Sequence, residues 1–143
     1  MKVKRLFGAD CNPKQLSPLT LAFVGDGVFE LFVREKLVCQ GNCPVNALHK
    51  RSVEQVCCGA QAVAAKKLLP LLTEEEAAVY NRGRNAHVGH VPKNAKVADY
   101  HVATAFEALF GYVYLSGDLE RLRMLFQIAC EALEGADETH PLV

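Results

Sequence analysis

The apolar and polar positions of this chain read as helix throughout, and nothing resembles a hairpin signal. Ser17 and Pro18 supply an N-cap followed by proline at the first helical position, opening a helix that should run to about Cys39. "GNCP" breaks it, and Pro44 opens a second helix through about Lys67. "LLPLL" is a junction, after which Thr73 and Glu76 form a capping box for a shorter third helix ending near Gly83. Residues 85–97 hold Gly89 and Pro92 without a sustained period and form a loop. Asp99 is expected to cap a helix through Leu115. "SGD" turns the chain, and Asp118 caps a last amphipathic helix to about Glu134. The pattern predicts an all-α fold in one domain spanning residues 1–143, with its core at about 16–134 and frayed ends.

Two of these helices carry an oddity. "LTLAFVGDGVFELFV", residues 19–33, is apolar but for glycines, a threonine, Asp26 and Glu30, and "VATAFEALFGYVYL", residues 102–115, has Glu107 as its only acid. A helix apolar on all sides belongs in the centre of a domain, where an ionised carboxylate is costly unless cations or strong donors meet it. Gly25 and Gly27 flank Asp26, and Gly111 lies one turn after Glu107. Each glycine inside a helix costs about 1 kcal/mol relative to alanine, which suggests close approach by another helix or a ligand. Glu30 lies four residues after Asp26 on the same face. If the two helices cross near their middles, Asp26, Glu30 and Glu107 converge. Such a carboxylate cluster suits Mg²⁺, and a metal beside basic residues suggests phosphodiester hydrolysis. The plainer alternative is that each acid is paired with Lys or Arg from a neighbouring helix.

The chain has 143 residues, half of them hydrophobic and 22% charged, which is globular composition rather than disorder. No apolar run is long enough for a signal peptide or a membrane span, so a cytoplasmic protein without membrane contact is expected. Six cysteines in that setting read as free thiols. Cys39 and Cys43 with His49 invite a zinc reading, but no second compact ligand pair appears. Formal net charge is zero, yet residues 82–98 carry Arg82, Arg84, Lys93 and Lys96, with His87 and His90, and no acid until Asp99. His49, Lys50 and Arg51 form a second basic group, and Lys66 and Lys67 a third. A neutral chain with local basic patches fits a phosphate-binding face.

At these residues a resemblance appears. "LAFVGDGVFELFVREKL" looks like the signature helix of the ribonuclease III catalytic domain, and "TAFEALFGYVYLSGD" resembles that family's second signature. "RGRNAHVGHVPKNAKVADYHVATAFEALFGYVYL" is similar to a stretch of the Mini-III ribonucleases, which lack a separate double-stranded-RNA-binding domain. The resemblance covers roughly residues 16–134. It implies an all-α homodimer that cleaves double-stranded RNA with Mg²⁺ and matures the ends of the 23S ribosomal RNA precursor. A ribosomal protein on that substrate is left open as a further partner. By the same resemblance Asp26 matches the catalytic aspartate and Glu107 the metal-binding glutamate. The larger enzymes carry further acids where this chain has Ala22 and Thr104. Metal geometry is thereby left to Asp26, Glu107 and waters, with Glu30 as a candidate supporting acid.

Without an RNA-binding domain, the body itself must grip the duplex, which is read mostly by shape through phosphates and 2′-hydroxyls. The candidates are His49, Lys50, Arg51, Arg82, Arg84, Asn85, Lys93, Asn94 and Lys96. Two other classes of function stand beside this one: a non-catalytic duplex-RNA-binding protein on the same fold, and an unrelated helical metal-dependent phosphohydrolase acting on small molecules.

Overall fold

A computed structural model describes residues 5–86, 91, 93 and 96–137, without the side chains of 135–137. Among the described residues the chain forms α1 (Pro18–Gln40), α2 (Val45–Val56), α3 (Cys58–Leu68), α4 (Glu74–Arg84), α5 (Val97–Leu115) and α6 (Leu119–Asp137). Short 3-10 turns occupy Pro13–Gln15 and Leu69–Leu71, and there is no strand among those residues. The all-α expectation holds.

Several helix starts follow from local hydrogen bonding. Ser17 Oγ accepts from the Thr20 N–H at 3.2 Å, with Pro18 in the first turn. At α4 the Thr73 hydroxyl accepts from the Glu76 N–H at 3.2 Å, and Glu76 Oε1 accepts from the Thr73 N–H at 2.9 Å, which closes the capping box. Asp118 Oδ1 accepts from the Arg121 N–H at 3.1 Å at the start of α6. Glu76 then also accepts the Arg121 guanidinium, at 2.9 and 2.6 Å, tying α4 to α6.

Two expectations are corrected. The second helix does not run unbroken to Lys67: Cys57 is extended (φ −68°, ψ 159°), ending α2 and starting α3. Gly59, two residues after the break, is a poor helix continuer. The turn lets α2 lie along α1 while α3 packs on α5 and α6, which one straight helix could not do. Asp99 does not cap α5. The helix opens two residues earlier, with Lys96 at the N-cap position, and Asp99 falls in the first turn. An acid is favoured at either place, because both lie at the positive end of the helix dipole, so sequence alone did not separate them.

Helix α5 is the centre of the fold. From Ala103 to Val113 every residue is buried except Glu107, which keeps partial exposure. Helices α1, α3, α4 and α6 all pack against it. Phe29 of α1 stands edge-on to Phe106 and Phe110, with ring centroids 4.9 and 5.4 Å apart, and meets Phe126 of α6 at 5.6 Å.

Helix α1 departs from its expected place. Leu21, Gly25, Phe29, Val33 and Leu37 are buried, but Leu19, Phe23 and Leu31 face outward, and Phe23 is 83% exposed. The helix therefore lies at the surface with an uncovered apolar side, rather than in the centre. A helix apolar all round gives no polar stripe to say which side meets water, so its pattern does not distinguish core from interface. Among the described residues no helix is long and apolar enough to cross a membrane.

Candidate active site

The site is built where α1 crosses α5. A Cβ on Gly25 would overlap the Glu107 carbonyl, and one on Gly111 would overlap the Leu21 carbonyl. The two backbones therefore touch, and the close approach implied by these glycines is made by one helix on the other. Gly27 differs: a Cβ there would meet no atom of the described residues within 4 Å. The contact at Gly25 sets Asp26, the next residue, beside Glu107.

The two acids sit in unequal surroundings. Glu107 is largely buried, whereas Asp26 is exposed, so the expectation of two acids deep inside is corrected for Asp26. The cause is the surface position of α1. Partial burial of its carboxyl group raises the Asp26 pKa, and the charge of Glu30 raises it further. For Glu107, burial is the larger cause and the charge of Asp26 the second; together they push its pKa up to about 8, against a smaller lowering by the Gln61 amide. The Asp26 charge thus disfavours ionisation of Glu107. Among the described residues no cation is salt-bridged to either carboxylate. The plainer alternative of each acid paired with a lysine or arginine is thus not what those residues form.

Gln61 of α3 is a site neighbour that sequence reasoning missed. It is 1% exposed and lies near Glu107, and among the described residues neither its Nε2 nor its Oε1 has a hydrogen-bond partner. A glutamine in an alanine-rich helix gave no signal of this beyond being the one polar residue between Gly59 and Lys66. Cys58 lies one turn earlier, close enough to Glu107 and Asp99 that their charges, after burial, raise its thiol pKa.

Glu30 neighbours Asp26 but turns to its own helix, where its Oε1 accepts from Arg34 at 2.8 Å. Ala22 is packed in the core, and the Thr104 hydroxyl donates back to the Tyr100 carbonyl at 3.0 Å, so neither adds a ligand. No group of three or more His, Cys, Asp or Glu side chains forms a metal cluster among the described residues. Two carboxylates and a carboxamide remain. Carboxylate oxygens with no salt-bridge partner among the described residues fit Mg²⁺, which keeps several waters and needs few protein ligands.

The basic candidates are solvent-facing. His49, Lys50 and Arg51 are exposed on α2; Arg82 and Arg84 are exposed in the last turn of α4, with Asn85 at its end. Lys93 and Lys96 are exposed as well, while Asn94, His87 and His90 lie outside the described residues. Gly83 packs against Ala105 and Ala108, which brings Arg82 and Arg84 to the height of Glu107 along α5, on another side of that helix.

Comparison with known proteins identifies the family. Residues 19–118 match the Ribonuclease III domain family. The chain is 47% identical over 119 residues to the Mini-ribonuclease 3 of Thermoanaerobacter sp. (strain X514), covering 83% of this chain and 84% of that one. It is 47% identical over 123 residues to the Mini-ribonuclease 3 of Symbiobacterium thermophilum, covering 86% and 95%. The X-ray structure of a Fusobacterium nucleatum protein superposes with a TM-score of 0.74 at 30% identity, covering 82% of this chain and 94% of that one. The chain belongs to the ribonuclease III family, among the Mini-ribonuclease 3 proteins, and is an endoribonuclease of that class.

Proposed function

We propose that this endoribonuclease cleaves double-stranded RNA with Mg²⁺ held by Asp26 and Glu107, and that it matures the ends of the 23S ribosomal RNA precursor in the cytoplasm. The observation that carries the reading is the juxtaposition of Asp26 and Glu107 at a backbone-to-backbone helix crossing, with no cation salt-bridged to either among the described residues. Holding two acids together is unfavourable unless something positive meets them, and a divalent cation does so. When bound, the cation supplies Lewis-acid activation of water and neutralises charge developing on the phosphodiester. Asp26 is exposed to solvent, and Glu107 is held by the core helix.

A duplex needs two cuts, and a two-fold dimer would present one acid pair to each strand. The uncovered α1 side, with Leu19, Phe23 and Leu31 exposed beside the open Gly27, supports self-association through this helix. His49, Lys50, Arg51, Arg82, Arg84, Asn85, Lys93 and Lys96 are the proposed contacts to the RNA backbone. Incubation of long duplex RNA with Mg²⁺ tests the reading, with single-stranded RNA and an EDTA control alongside. Cleavage confined to the duplex and to the metal-containing reaction supports it. Duplex that is bound and never cut would instead favour the non-catalytic alternative.

A further inference from the structure

The buried Gln61 amide is unexplained by packing. A glutamine at 1% exposure whose two side-chain polar atoms have no partner among the described residues carries a desolvation cost that nothing there offsets. Its neighbours along the helix core, Ala62, Ala64, Ala65 and Leu68, are all apolar, so leucine or methionine of similar volume would suit the position better for stability alone. The amide lies near the Glu107 carboxyl group, although no hydrogen bond joins the two among the described residues. It also arrives there from a third element: α3 enters at the Cys57 break and packs against α5, so Asp26, Glu107 and Gln61 come from α1, α5 and α3.

We propose that Gln61 is a positioning residue of the metal site, donating from Nε2 to one oxygen of ionised Glu107 so that the carboxylate is held toward Asp26 and the cation. This rests on the reading of Asp26 and Glu107 as the metal-holding pair. The carboxamide is suited to the task because it is both donor and acceptor and carries no charge of its own. A lysine in the same place would compete with the cation, and an acid would add a third negative charge. Side chains that orient a ligand in this way typically matter by about 10- to 100-fold in metal affinity or activity.

The test compares wild type, Gln61→Leu and Asp26→Asn for Mn²⁺ binding without RNA, by electron paramagnetic resonance of free Mn²⁺, and then for duplex cleavage. Thermal denaturation of the metal-free proteins accompanies both. The expected result is that Gln61→Leu melts no lower than wild type but binds Mn²⁺ about 10- to 100-fold more weakly, with kcat reduced and KM for duplex unchanged. If Gln61→Leu does not fold, Gln61→Met, an unbranched side chain of similar length, is measured in its place with the same expectation. Wild-type Mn²⁺ affinity and kcat in the folded variant would overturn the proposal and make Gln61 a core filler. Wild type that neither binds Mn²⁺ nor cuts duplex would overturn the metal-site reading on which the proposal stands. Asp26→Asn marks that difference, because it should lose binding whatever Gln61 does.

Discussion

Gly25 lies in direct backbone contact with Glu107: a side chain at position 25 would have to occupy the space of the Glu107 carbonyl. Gly111 makes the reciprocal contact with Leu21 one turn further on. These two positions set the distance between α1 and α5, and with it the distance between the acids the helices carry.

Gly25→Ala and Gly111→Ala should therefore each destabilise the protein by about 1–3 kcal/mol or more. Overpacking against backbone outweighs the roughly 1 kcal/mol that alanine gains over glycine in helix propensity. Gly27→Ala meets open space in the chain and should not lower its stability. Urea denaturation of the three variants separates the positions.

The pKa of Glu107 is pushed up to about 8, by burial first and Asp26 second, so in metal-free protein its proton stabilises the fold. The folded state holds that proton between pH 4.5 and 8 while the unfolded chain has released it. Stability should accordingly fall as pH rises through that window and level off above it. Glu107→Gln should remove the fall, making the metal-free variant more stable than wild type at pH 8 by up to a few kcal/mol, with little difference at pH 4.5. Chemical denaturation across pH checks the sign, and Mg²⁺ should restore wild-type stability at the alkaline end but not that of the variant.

Phe23 is 83% exposed on a helix side whose Leu19 and Leu31 are also outward. Phe23→Glu should leave helix content unchanged and convert a dimer to a monomer in sedimentation velocity, with loss of duplex cleavage. A wild-type protein that sediments as a monomer would remove the basis for a paired cut.

Lys50 on α2 and Arg84 on α4 are both exposed. Replacing either with alanine should weaken duplex binding across sequences alike and reduce the slope of log affinity against log salt by about one. Filter binding between low and moderate salt measures this. A variant whose slope matches wild type carries a solvated charge rather than a phosphate contact.

The helical framework was legible because its ends are chemically marked: Ser17-Pro18, the Thr73–Glu76 box and Asp118 all act where the sequence places them. The pairing of Asp26 with Glu107 was legible for a related reason, since glycines beside lone acids in apolar helices already implied a close crossing. What sequence did not carry is orientation. An apolar stripe that serves core and interface alike has no polar side, so the surface position of α1 and the exposure of Asp26 could not be read. Nor could the turn at Cys57, which depends on α3 finding α5, and with that turn goes the place of Gln61. Asp99 misled because a cap and a first-turn acid look alike.

The most direct test of the account is to measure duplex binding and duplex cleavage together for wild type, Asp26→Asn and Glu107→Gln, with Mg²⁺ present. The account predicts that both variants bind the duplex about as tightly as wild type and cut it at least about a hundredfold more slowly. Cleavage by either variant at the wild-type rate would contradict it, because the acids at the crossing of α1 and α5 would then not be the residues that hold the metal.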